Sequence, residues 1–233
     1  MTRPVRVVII DSGVHASHPH IGGVSGGVGI DDLGVRHADY LDRLGHGTAV
    51  TAVIREKAPA AEILIAKVFD RELAATGESL VAACEWAIEQ RADVVNLSLG
   101  TTNVDHRAPL GGVVARLRDS GAVVVAAGAQ DGVAWLPGTL PGAWGVTLDW
   151  SLPRDRCRLV ALADEEASFE ASGFPRPIPG VPPERNLKGL SFAVANVTGL
   201  LASLLDRQDG ASPPVALRRT LSGAGPGSLI PSR

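Results

Sequence analysis

Three polar side chains in this 233-residue sequence could act together: the Asp11 carboxylate, the His46 imidazole and the Ser191 hydroxyl. Serine at neutral pH is a poor nucleophile until an adjacent imidazole takes its proton. The imidazole in turn needs a carboxylate on its other nitrogen, to fix the tautomer and stabilise the cation. Jointly the three form a charge-supported nucleophile suited to acyl transfer. Singly, each has a plainer use: Ser191 as a helix N-cap, Asp11 as an Asx-turn carboxylate, His46 as a residue at a helix start. His15, His18, His20 and His37 bring a metal to mind, but no helical or paired-cysteine framework fixes their spacing, and no metal site is expected.

Apolar patterning predicts the elements that must position these residues. Val5–Ile10 is a β-branched run of the kind buried on both faces of a sheet. It ends at Asp11-Ser12-Gly13, and open α/β sheets bind ligands just beyond such strand ends. Gly45-His46-Gly47-Thr48 feeds a helix that stops near Lys57-Ala58-Pro59. Ser191 opens another, in a run of small and apolar residues with no breaker until Gly199. Backbone N–H groups in that first turn lack intrahelical partners, and the helix dipole favours negative charge there.

Between these, residues 14–44 read as loops with one short strand at Gly27–Ile30. Further strands are predicted at Glu62–Val68, Asp93–Leu99, Ala122–Ala127, Val146–Leu148 and Arg158–Leu162. Helices are predicted at Gly77–Gln90, Leu110–Ser120 and Pro214–Leu221. Residues 128–132 read as a turn, and the proline-rich Gly173–Lys188 as an irregular loop. The Gly/Pro/Ser tail over 223–233 reads as frayed. Strands alternating with helices predict a three-layer α/β/α fold around a mostly parallel sheet. No repeat or linker divides the chain, so one domain is expected, its core over 5–222.

The motifs resemble those of the subtilisin-like serine proteases (subtilases, peptidase S8). Asp11-Ser12-Gly13-Val14 with His18-Pro19 resembles the aspartate motif of that family. Gly45-His46-Gly47-Thr48 resembles its histidine motif, and Gly189-Leu190-Ser191-Phe192-Ala193 its serine motif. The order Asp, His, Ser is the one known for subtilisin. Ala58-Pro59, Glu85-Trp86-Ala87-Ile88 and Asn96-Leu97-Ser98-Leu99-Gly100 resemble intervening segments, so the likeness spans roughly residues 5–205. It implies a subtilisin-like fold and a serine endopeptidase without cofactor. In that scheme Ser191 attacks a peptide carbonyl, His46 takes and returns the proton, and Asp11 orients His46. By the same resemblance Ser98-Leu99-Gly100 would pair with the substrate backbone and form one wall of the specificity pocket, and Ala127-Gly128 the other.

Four departures qualify that scheme. Ala129 stands where the family places an Asn that donates to the oxyanion, and Gln130, next in sequence, is the expected substitute, with the Ser191 N–H as second donor. Leu190, Ala195 and Asn196 replace residues usually seen as Thr, Pro and His. Only Arg55-Glu56-Lys57 separates the His46 helix from Ala58-Pro59, where many relatives insert a calcium loop. Trp135 falls near a small pocket-lining residue of relatives and would narrow the pocket.

Composition narrows the rest. The 22 Lys+Arg and 25 Asp+Glu are nearly balanced with no long run of one sign, so a nucleic-acid partner is not expected. No apolar stretch reaches the roughly 18 residues that span a bilayer. Met1-Thr2-Arg3-Pro4 leads straight into a strand with no leader-like pattern, and a cytoplasmic protein without propeptide is expected. Cys84 and Cys157 match no metal motif and read as free, buried thiols of a reducing compartment. The expected partner is a peptide or protein substrate, a dedicated peptide rather than bulk protein. A reading from another class is a pseudoprotease that lost turnover with the oxyanion Asn and kept the groove for binding. An esterase built on G-x-S-x-G would carry its serine before the acid and histidine, the reverse of this order.

Overall fold

The computed structural model describes residues 3–164, 166–206 and 211–231. Its central sheet starts at β1 (Arg6–Asp11), where the β-branched run alternates Val7 and Ile9 toward one core with Val8 and Ile10 toward another. Both faces of β1 are therefore buried, as a continuous apolar run requires. β1 pairs in parallel with β4 (Glu62–Lys67) on one side and β5 (Val94–Leu97) on the other. β6 (Val123–Ala127), β9 (Ala143–Leu148) and β11 (Ala167–Ala171) extend the parallel order beyond β5, and β2 (Gly26–Ile30) extends it beyond β4. Antiparallel strands close the edges: β3 (Arg36–His37) on β2, and β10 (Arg156–Leu162) on β11.

Helices cover both faces. One core holds residues of α1 (His46–Lys57), α4 (Leu190–Leu205) and α5 (Pro213–Ala224). The other holds residues of α2 (Gly77–Glu89) and α3 (Arg107–Asp119). The layering is α/β/α around a mostly parallel ten-stranded sheet.

Four local expectations need correction. The tail is not frayed at Leu229–Pro231, which forms β12 and pairs with β10; residues 232 and 233 lie outside the described residues. Residues 128–132 do not make a bare turn, because β7 (Ala129–Gln130) pairs with β8 (Val133–Ala134) across it. β11 was not anticipated, although its side chains alternate buried and half-buried. Gly199 does not end its helix. It sits where α4 meets α1, and a Cβ there would lie 3.0 Å from Lys57 Cβ and 3.1 Å from Ile54 Cα.

That close approach buries Lys57, whose ammonium has its nearest carboxylate, Glu56, at 3.9 Å. Burial, reinforced by Arg154, pushes its pKa down from 10.5 to about 8. A lysine easier to deprotonate when folded destabilises the fold at every pH where it is charged. That cost is full below about 8 and fades as pH rises to 10.5, because the folded state sheds its proton first. Lys57→Met should therefore stabilise the protein by about 3 kcal/mol at neutral pH, and the gain should shrink by pH 10. Chemical denaturation of both proteins at the two pH values checks this; equal midpoints at neutral pH would refute it.

Candidate active site

Asp11 ends β1 at the point where the sheet's connections diverge, toward β4 on one side and β5 on the other. Such a switch point opens a crevice at the carboxyl ends of the strands. There the buried Asp11 Oδ1 accepts two hydrogen bonds of 2.7 Å, from the Ser12 N–H and from His46 Nδ1. Its other oxygen, Oδ2, is buried without a protein partner.

His46 is the first residue of α1, and the next residue explains how it comes so near. A Cβ on Gly47 would run into the Gly13 carbonyl oxygen, so only glycine lets the first turn settle onto the Asp11 loop. The turn is held by Asp42, a residue absent from the sequence-based site. Its Oδ1 accepts from Ser12 Oγ, Leu44 N and Gly45 N, each at 2.9 Å. Its Oδ2 accepts from Thr48 N at 2.8 Å and Thr48 Oγ1 at 2.6 Å. The Asx-turn to Leu44 is the one local signal that could have revealed it. Burial opposes ionisation of Asp42, but bonds from Thr48, Leu44 and Ser12 prevail and keep its pKa below the ordinary value. For His46, burial disfavours the cation, while the bond to Asp11 and the charges of Asp11 and Asp42 favour it more. The net effect raises its pKa above 6.5.

Ser191 stands in the first turn of α4, where its N–H has no intrahelical partner. Its hydroxyl donates to the Ser98 carbonyl oxygen at 2.9 Å and does not bond His46. Ser98 Oγ returns a bond to the Ser191 carbonyl at 3.0 Å and accepts from Asn96 Nδ2 at 2.8 Å. Thr198 Oγ1, one helical stretch on, donates to Asn96 Oδ1 at 2.9 Å. The serine turn is thus tied to β5 by a buried polar chain.

His46 and Ser191 line one cleft of about 340 Å³ together with Ser98, Leu99 and Gly100. Its apolar side is made by Phe69, Leu73, Leu80 and neighbouring alanines, which sequence reasoning missed because they lie on the segment from β4 into α2. Ala127, Gly128, Ala129, Gln130 and Trp135 do not line this cleft. Trp135 is half-buried, and a Cβ on Gly100 would lie 3.1 Å from Trp135 Cβ. Thr101 and Leu136 exchange backbone bonds of 3.0 and 2.9 Å beside it. The Gln130 amide is engaged at both its oxygen and its nitrogen. Its Oε1 accepts from Leu148 N at 2.7 Å and its Nε2 donates to Asp131 Oδ1 at 3.1 Å. Strand β9 has captured it, and Ala129, lacking a polar side chain, offers no side-chain donor. Among the described residues, no group of three or more His, Cys, Asp or Glu could hold a metal, and no helix is long and apolar enough to cross a membrane. Cys84 and Cys157 are free and buried, and burial pushes both thiols up to about 12.

Comparison with known proteins converges on one group. A family model described as the Subtilase family matches residues 2–148. The chain is 29% identical over 188 residues to the minor extracellular protease Epr of Bacillus subtilis (strain 168), covering 72% of this chain and 27% of that protein. It is 29% identical over 209 residues to subtilisin E of the same organism, covering 84% of this chain and 52% of that protein. The chain thus spans about half of subtilisin E or less of these relatives. Among solved structures, the nisin leader peptidase NisP from Lactococcus lactis superposes with a TM-score of 0.73 at 18% identity, covering 97% of this chain and 83% of that one.

Proposed function

Because the chain belongs to the subtilase family, we propose that it is a serine endopeptidase working through Asp11, His46 and Ser191. The observation that carries this reading is the 2.7 Å bond between buried Asp11 and His46, beside a serine that shares the His46 cleft. The Asp11 carboxylate holds the proton on His46 Nδ1, which leaves Nε2 free to act as base. Ser191 Oγ must first leave the Ser98 carbonyl. A peptide lying along Ser98-Leu99-Gly100 as an added strand would claim that same oxygen with its own N–H, so substrate binding releases the hydroxyl toward His46. Attack on the carbonyl then forms an acyl-enzyme. His46 hands its proton to the leaving amine, and water repeats the cycle to free the acid.

The Ser191 N–H is proposed to serve the oxyanion, while in the resting arrangement the Gln130 amide bonds Leu148 N and Asp131. On the acyl side, Phe69, Leu73, Leu80 and Leu99 favour an apolar side chain. Ala127-Gly128 and Trp135 are proposed to close the pocket for the residue at the cleaved bond, with Trp135 filling part of it. Cleavage after Ala should accordingly exceed cleavage after Phe in kcat/KM on matched peptides; the opposite ranking would remove Trp135 from the pocket. The substrate is proposed to be a dedicated peptide or protein, a role compatible with the fold shared with a leader peptidase.

A fluorophosphonate probe tests the core of this reading. Labelling is expected at Ser191 and should vanish in His46→Ala. No labelling of the wild-type protein would instead leave a peptide-binding module that has lost turnover.

A further inference from the structure

A second cavity, of about 660 Å³, shares no lining residue with the Ser98–Gly100 cleft yet borders the same catalytic segments. Gly45 and Thr48, which line it, flank His46, and Leu187 lies four residues before Ser191. Its apolar surface comes from Pro19, Ala49 and Ala52 on one side and Pro175, Ile178 and Leu187 of the proline-rich loop on the other. Ile178 and Leu187 are left 46% and 48% exposed, so the described residues do not cover this apolar floor.

The polar lining holds the guanidinium groups of Arg176 and Arg185, with His15, His18, His20, Thr48 and Asn186 beside them. The one acid in the lining is Asp42, and its two oxygens already accept five hydrogen bonds from Ser12, Leu44, Gly45 and Thr48. Arg176 has Glu56 at 4.0 Å, whereas among the described residues no carboxylate pairs with Arg185. Glu184, the nearest acid in sequence, lines a separate cavity with Phe174 and Val181. A basic rim over an apolar floor, in a chain of net charge −3, complements an acidic and apolar ligand.

We propose that this cavity receives the part of the substrate that follows the cleaved bond, and selects a segment carrying an apolar residue and Asp or Glu within a few positions. The inference rests on the endopeptidase reading, in which a strand held along Ser98–Gly100 passes Ser191 and leaves the cleft between Gly45 and Leu187. The occupant is anchored by apolar contact with Ile178 and Leu187 and read by Arg185 at the rim. Five prolines between Pro175 and Pro183 stiffen the loop, so little conformational freedom is lost on binding.

Two measurements test it. Internally quenched peptides identical up to the cleaved bond would carry Ala-Leu-Asp-Glu or Ala-Leu-Lys-Lys after it. Wild type should cleave the acidic peptide about tenfold faster in kcat/KM, and Arg185→Glu should abolish or invert that ratio. Equal rates in the wild type would overturn the cavity's role and leave the endopeptidase standing. Separately, the free fragment Ala-Leu-Asp-Glu should shift the ring signals of His15, His18 and His20 in NMR spectra, and its lysine counterpart should not. Binding of the acidic fragment without hydrolysis of either peptide would support the cavity's selectivity and refute the catalytic reading. Failure of both fragments to perturb these histidines would overturn the proposal whatever the rates.

Discussion

Asp11→Asn is expected to lower kcat by about 10⁴-fold, the loss seen for the same swap in the chymotrypsin-type triad. The substitution is nearly isosteric in a fully buried site, so the fold should survive. The chemistry should not. Oδ1 accepts from both Ser12 N and His46 Nδ1, so an Asn that keeps its amide oxygen there offers the imidazole a neutral acceptor, which no longer stabilises the cation formed when His46 takes the Ser191 proton. An Asn that turns its NH₂ to that place gives up the Ser12 bond and makes Nδ1 an acceptor, so the proton sits on Nε2 and the imidazole cannot take another from Ser191. The pH profile separates this role from mere structural support. Asp11 and Asp42 raise the His46 pKa against the opposing effect of burial. Activity requires neutral His46, so wild-type kcat/KM should fall as pH drops through a value above 6.5. Removing the Asp11 charge should move that limb to lower pH. A loss below about tenfold in kcat, or an unmoved limb, would remove Asp11 from the triad.

Ala129→Asn should work in the opposite direction and raise kcat by about 10²-fold. Removing one oxyanion donor costs about 10² to 10³ in kcat, a magnitude established on subtilisin, itself a member of this family. Here the donor is absent at the outset. Gln130 cannot replace it while β9 holds its Oε1 through the Leu148 N–H. An Asn one residue earlier, at the position the resemblance gives to the family's donor, is not bound by that capture. Because the donor acts on charge that develops in the transition state, the gain should appear in kcat with KM nearly unchanged. Gln130→Ala serves as the control and should alter kcat less than about twofold. A large loss in that control would mean that Gln130 leaves Leu148 during turnover and serves the oxyanion after all.

The two substitutions illustrate how differently the parts of the site can be read. Asp11, His46 and Ser191 are legible because each sits in a short motif whose backbone geometry is local: a strand end with its glycine, a helix start, another helix start. The parallel sheet is legible for the same reason, since β-branched runs such as Val5–Ile10 announce burial on both faces. Asp42 was harder. It holds the first turn of α1 through Thr48 six residues on, which matches no ordinary capping spacing. The apolar side of the cleft was harder still, because Phe69, Leu73 and Leu80 gain meaning only when α2 folds back toward Ser98.

Short-range patterning was enough to specify the helices, most of the central strands, a mostly parallel sheet and the residues offered at element ends, though not β11 or β12. It could not specify which acceptor a hydroxyl or amide would choose. The Ser191 hydroxyl bonds a carbonyl 93 residues away, and the Gln130 amide takes an N–H 18 residues away. Such choices depend on which unpaired donors and acceptors the packed sheet brings within about 3 Å, so they are settled only when the whole chain has closed around the cleft.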